Sequence, residues 1–262
     1  MKTIKLGAQI NTIRDHIKTI DDFKISMSKV KNIGYSAVQL DLHHITPGIQ
    51  HNYEHIYEIL NNVGLLVTNT HIQWYDIKKN IERAIEINKI LNSKHSAIPL
   101  MPIEYKNKGE LGYLEFARET VSFSKKFLEN GISLSYHNHS FEFERFGSKT
   151  GLDIIFDYVG KDSLQAEIDT YWIQHGGSDP SYWVEKMKDN SPVIHFKDMI
   201  ITNEGEQVFA EIGQGNLNWE KIIDATKNSK IEWIVVEQDF CQSDPFDCLK
   251  TSYHFLNKYG FY

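Results

Sequence analysis

The stretch 136–143, YHNHSFEF, places His137, His139 and Glu142 within six positions, with Asn138 between the two imidazoles. Imidazole nitrogens and a carboxylate at this spacing are the donors that hold a divalent cation or move protons at a substrate. The stretch follows an apolar run, 131–135 (GISLS), that reads as a buried strand. Polar groups gathered at a buried strand end need partners, which argues for a site. A solvated loop beside a strand end is the other reading, and only matching residues from other strands separate the two.

Such residues recur. Apolar runs along the chain end in Gln9 and Asn11, in Gln39 and Asp41, in His71, and in Met101 with Glu104. Later runs end in Asp169, in His195 with Lys197, and in Glu237 with Asp239. Asp169 follows LQAEI, His195 follows PVI and Glu237 follows IVV, so each stands where an apolar strand would stop. Two or three carboxylates with one or two imidazoles suit a single divalent ion, Mn²⁺, Co²⁺, Mg²⁺ or Zn²⁺, with open positions for a substrate. Alone, a residue such as His195 reads equally as a hydrogen-bonded core histidine, and Asp169 as a helix cap.

The elements that must carry these residues alternate. Strand-like runs are read at 4–10, 37–42, 65–72, 95–100, 132–136, 164–168, 193–196 and 231–236. Between them lie helical stripes at 21–32, 52–62, 76–92, 110–130, 152–159, 179–188, 219–226 and 247–259. Eight strand–helix units joined through helices force parallel connections and predict an α/β fold, a single (β/α)8 TIM barrel over residues 1–262. An open doubly wound sheet alternates in the same way, but no GxGxxG follows the first strand. Gly213-Gln214-Gly215 is only GxG and reads as a turn. In a barrel the C-terminal strand ends meet at one face, which is where the polar residues fall.

Composition bounds the function. The 262 residues are 41% hydrophobic and 24% charged, enough for a sizeable core. A net charge of −7 argues against a nucleic-acid binder, which needs a basic face. Cys241 and Cys248 form no metal motif, and neither a signal peptide nor an apolar run of membrane-spanning length is seen, so a cytoplasmic protein without membrane partners is expected. Homo-oligomerisation is compatible with all of this.

The run from YHNHSFEF through EIDTYWIQHGGSDP and VIHFKDM to EIGQGNLNW and VVEQD resembles the xylose isomerase-like TIM-barrel superfamily, and within it the sugar phosphate isomerase/epimerase group. GAQINTIRD and IGYSAVQLD are similar to that family's first two strand–helix units. The resemblance implies one metal held by a Glu, an Asp, a His and a second Glu from late strands. Asp169, His195 and Glu237 match by position. Many relatives end the fifth strand in Glu-Asn where this chain has His137-Asn138, so Glu142 is taken as the fourth ligand and His137 as its alternative.

The expected function is a metal-dependent isomerase or epimerase acting on a sugar, polyol or keto-sugar, by proton abstraction next to a carbonyl through a metal-stabilised enediolate. Glu142 and Glu237 are the expected acid/base pair. Lys197 would neutralise oxyanion charge or simply pair with Asp198. His71 and His137 would bind substrate hydroxyls, and Trp172, Tyr171 and Trp74 would stack on a sugar ring or fill gaps between loops. The same abstraction serves a dehydratase or lyase on a keto-sugar or keto-inositol, which is the second reading. An apurinic-site endonuclease, known among the relatives, and a non-catalytic sugar-binding barrel rank below both.

Overall fold

A computed structural model describes residues 4–43, 52–160 and 163–262. Eight strands form one sheet: β1 (Lys5–Gln9), β2 (Ala37–Asp41), β3 (Leu66–His71), β4 (His95–Ile98), β5 (Ser133–His137), β6 (Gln165–Glu167), β7 (Val193–Phe196) and β8 (Trp233–Val236). Every neighbouring pair is parallel, in the order β6-β5-β4-β3-β2-β1-β8-β7. The remaining seam is spanned by a parallel bridge between Asp169 and His195, where His195 N–H donates to the Ile168 carbonyl at 2.8 Å. A nearly closed TIM barrel results, and two of the residues singled out above sit on its closing seam.

The strands read as apolar runs because helices cover one face and the barrel interior the other. All five residues of β2 are buried. Helix ends follow local chemistry. Thr19 and Asp22 form a reciprocal capping box at the start of Ile20–Ile33, and Gly34, at φ +127°, ends that helix.

Three differences from the sequence reading bear on the fold. The helical stripe at 76–92 is two helices, Trp74–Lys79 and Ile81–Ile90. Asn80 leaves helical geometry (φ −158°, ψ 85°) and its side chain accepts the Arg83 N–H at 3.0 Å, capping the second helix. The fourth strand stops at Ile98 rather than at 100. An antiparallel hairpin, Asp198–Ile201 with Gln207–Ala210, follows β7. At its base Asp198 accepts backbone N–H groups from Met199, Gly213, Gly215 and Leu217, and the Trp219 indole N–H at 2.6 Å. The Gly213–Gly215 turn therefore wraps a buried carboxylate and does not bind a nucleotide phosphate in the manner of a glycine-rich loop. Among the described residues no helix is long and apolar enough to cross a membrane.

Candidate metal centre

The period of two along a strand places alternate residues on one face. His137 ends β5, Asp169 lies two residues beyond Glu167 at the end of β6, His195 lies within β7, and Glu237 follows β8 directly. All four point into the top of the barrel, with at most 6% exposure. His137 Nε2 lies 3.2 Å from Asp169 Oδ2; His195 Nδ1 lies 3.0 Å from Glu237 Oε2 and 3.8 Å from Asp169 Oδ2. One donor atom from each of the four comes within 4.8 Å of the others.

The structure thus brings Asp169, His195 and Glu237 together, with His137 as the fourth member. It does not bring Glu142 among them. Glu142 is fully buried, but its carboxylate accepts the Tyr136 hydroxyl and the His139 backbone N–H at 2.9 Å. Burial raises its pKa to about 7, against the opposing pull of those two donors. The reason is geometric. Residue 137 is the last of a strand and points inward, whereas Glu142 belongs to the short 3-10 turn Phe141–Phe143 that folds back over Tyr136.

Lys197 brings an ammonium into the site. Its Nζ lies 3.2 Å from Asp169 Oδ2, 2.9 Å from Glu237 Oε2 and 3.1 Å from Asp239 Oδ2, with its buried ammonium 5.6 Å from the centre of the Trp172 ring. It does not pair with Asp198, whose oxygens are taken by the hairpin base. Asn11 Nδ2 donates to Glu237 and Asp239, at 3.0 Å each. Burial raises the Asp239 carboxyl to about 6 despite Lys197, while Glu237 stays well below the usual carboxylate range because Lys197 and His195 outweigh its desolvation. Burial would depress His195, but the charges of Glu167 and Glu237 lift it to about 10.

Trp172 is half-buried beside His139, with ring centres 5.2 Å apart, and Tyr171 stacks on Phe209 at 4.2 Å. Trp74 is elsewhere, 1% exposed among Tyr105, Phe116 and Phe123, where it fills the core. Glu104 pairs with the exposed Tyr75 hydroxyl at 2.6 Å, away from the cluster. His71 lies below the four donors, stacked on His195.

Glu167 was not singled out in the sequence. It reads there as an interruption of the strand run LQAEI, yet it is fully buried and takes donors from Gln39, Asn69 and His71. The available signal was the alternation E-I-D, which puts Glu167 and Asp169 on the same strand face.

The residues present fit a divalent cation. Two imidazoles and two carboxylates are a mixed N/O donor set, and buried ring nitrogens stand without hydrogen-bond partners at His137 Nδ1, His139 Nδ1 and His195 Nε2. A buried cluster that leaves imidazole nitrogens unsatisfied is incomplete as ordinary core.

An eight-stranded parallel barrel with an inward-facing carboxylate–imidazole cluster at its C-terminal end defines the class: a TIM barrel with a candidate metal centre. The chain belongs to the xylose isomerase-like TIM barrel family, whose model matches residues 27–258. A sugar phosphate isomerase/epimerase from Parabacteroides distasonis is similar in structure, with TM-score 0.82 at 18% identity, covering 100% of this chain and 96% of that one. So are a probable 3-DHS dehydratase, AsbF, from Bacillus anthracis (TM-score 0.73, 14% identity, 97% and 99% covered) and the IOLI protein, solved with a binding zinc atom (TM-score 0.70, 12% identity, 97% and 97% covered). Comparison with curated proteins gives no match in sequence.

Proposed function

We propose that this chain is a metal-dependent sugar isomerase or epimerase, acting on a keto-sugar or related polyol by moving a proton next to a carbonyl. The observation that carries this reading is the convergence of His137, Asp169, His195 and Glu237 within 4.8 Å at the barrel's C-terminal end. These four residues would hold the ion. When bound, a divalent ion supplies Lewis-acid polarisation of a substrate oxygen. The neighbouring proteins of this fold that act on sugars support the substrate class.

The chain's own groups account for the rest. Glu237, ionised and held by Asn11 and Lys197, is placed to accept the proton beside the carbonyl. Lys197, charged and desolvated, lies where negative charge on a substrate oxygen would be balanced. Trp172 and His139 line the approach and exclude water, and His71 offers a ring nitrogen to a hydroxyl. Glu142 takes no proton-transfer role here; it braces the 136–142 turn.

Elimination shares the first step, and the similarity to a dehydratase supports it as the second reading, in which a leaving group β to the abstracted proton departs.

Exchange of substrate hydrogen with solvent tests the proposal. Ketoses incubated in deuterated water with Mn²⁺ and the protein are expected to take up deuterium at the carbon next to the carbonyl. Glu237→Gln is expected to slow that exchange by about 10²–10⁴-fold, the usual scale of general-base catalysis. Undiminished exchange in Glu237→Gln would remove Glu237 from the mechanism.

A further inference from the structure

Beside the proton-transfer groups lies a cavity of about 180 Å³ that the mechanism above does not use. It is enclosed between the 3-10 turn Ile10–His16, which follows β1, and the segment after β8. Asp239 joins site and cavity. Its carboxylate is held by Asn11 and Lys197 in the site, and its carbonyl by Arg14 at the cavity. Asn11 does the same from the other side, with its amide on Glu237 and its carbonyl on Arg14. A substrate seated beside Glu237 thus has its far end within reach of Arg14.

The polar groups of the cavity are donors with hydrogens to spare. Arg14 Nη1 donates to the Asn11 carbonyl at 3.0 Å and to the Asp239 carbonyl at 2.7 Å. Its guanidinium lies 5.3 Å from the centre of the Phe240 ring, so the group is fixed in place at the cavity wall. Nε and Nη2 find no acceptor among the described residues, and Arg14 makes no ion pair with a carboxylate there. Those two nitrogens form an edge by which a guanidinium grips two oxygens of one anion. Thr12, 6% exposed, accepts the Gln238 N–H at 3.0 Å and passes its own hydroxyl hydrogen to no acceptor among the described residues. His16 and Ser243 add an imidazole and a second hydroxyl to the wall. The carboxylates that line the cavity are already engaged, Asp15 with Lys18 at 2.9 Å and Asp239 with Asn11 and Lys197.

We propose that this cavity is a subsite for a phosphate group at the far end of the substrate, with Arg14 as the residue that selects phosphorylated ketoses over neutral ones. A phosphate monoester presents three oxygens in different directions. That suits donors arriving from two chain segments, Thr12 and Arg14 on one and Ser243 on the other, better than the two coplanar oxygens of a carboxylate do. The ketose part of the ligand rests on the function proposed above; the anion site rests on the cavity and on Arg14.

The test is calorimetric titration of metal-free wild type, Arg14→Gln and Ser243→Asp with a ketopentose 5-phosphate, a ketohexose 6-phosphate, their unphosphorylated ketoses and a ketohexuronate. The better of the two esters is expected to bind wild type about 10–100-fold more tightly than its parent ketose, the scale of hydrogen bonds to a charged group. Both variants are expected to lose most of that preference, Arg14→Gln by removing the fork and Ser243→Asp by placing a carboxylate in the cavity. Ser243 is exposed, so its variant decides the matter if loss of the Arg14 contacts unfolds the turn. No preference for either ester in wild type, a preference that survives Ser243→Asp, or a uronate bound more tightly than the esters would overturn the assignment. Deuterium exchange with the same ketoses separates the subsite from the function it serves. Ester binding that needs Arg14, with no exchange from any ketose, removes the isomerase reading and leaves the phosphate site standing. Exchange without any preference for the esters does the reverse.

Discussion

Asp169→Asn is expected to weaken divalent-ion binding by on the order of 10³-fold or more, well beyond the 10–100-fold typical of losing an outer partner. The expectation follows from what Asp169 does with each oxygen. Oδ2 faces His137, His195 and Lys197, at 3.2, 3.8 and 3.2 Å. Oδ1 accepts the Trp172 N–H at 3.0 Å and so caps the helix Thr170–His175. Asparagine keeps the cap, since its carbonyl oxygen is as good an N-cap acceptor as a carboxylate. It removes the charge on the ligand side. Lys197 retains Glu237 and Asp239, so its ammonium is not left unpaired. Binding should therefore collapse while the fold survives. Calorimetric titration with Mn²⁺ and a thermal melt on the same sample measure both. An unchanged affinity would place the ion away from Asp169.

The second large effect concerns Glu142, the position at which the family resemblance and the geometry part. Its carboxyl is fully buried with a folded-state pKa of about 7, against an ordinary value of 4.5. Below 4.5 the folded and unfolded chains both hold the proton, and the native state is at no disadvantage. Between 4.5 and 7 the unfolded chain releases the proton while the folded chain keeps it. The native state thus loses stability as pH rises, by about 3 kcal/mol in all once pH passes 7. Glu142→Gln has no proton to lose. In metal-free protein its melting temperature should gain on wild type by roughly 5–10 °C between about pH 5 and pH 8. Its Mn²⁺ affinity should stay within a few-fold of wild type, because the Glu142 oxygens face Tyr136 and His139. A melting difference that does not vary with pH contradicts the buried-carboxyl account. A collapse of Mn²⁺ binding would restore Glu142 to the ligand set.

These two residues mark what could be read from the chain alone. The eight strands were legible because runs such as AVQLD and IVV are buried on both faces and carry no competing pattern. Asp169, His195 and Glu237 were legible because each puts a polar group into or at the end of such a run. The choice between His137 and Glu142 was not, since spacing in sequence does not say whether a turn five residues on folds inward over the barrel or back onto its own strand. Glu167 was hidden for a different reason. One charge inside LQAEI looks like an interruption, and the groups that satisfy it, Gln39, Asn69 and His71, come from two other strands. Asn80 was hidden by phase: Ile77, Ile81 and Ile85 continue one helical stripe across the break, so periodicity alone does not reveal it. Lys197 was seen, and of its two readings the pairing with Asp198 fails, because successive residues of an extended backbone point to opposite sides and Lys197 turns inward to Asp169, Glu237 and Asp239.

The measurement closest to the centre of this account is anomalous diffraction at the manganese edge from crystals soaked in Mn²⁺. The expected result is one peak within bonding distance of His137, Asp169, His195 and Glu237, with Glu142 still against Tyr136. A map with no peak at the end of β5–β8, or a peak ligated by Glu142 with His137 turned away, would contradict a metal centre built on these four residues.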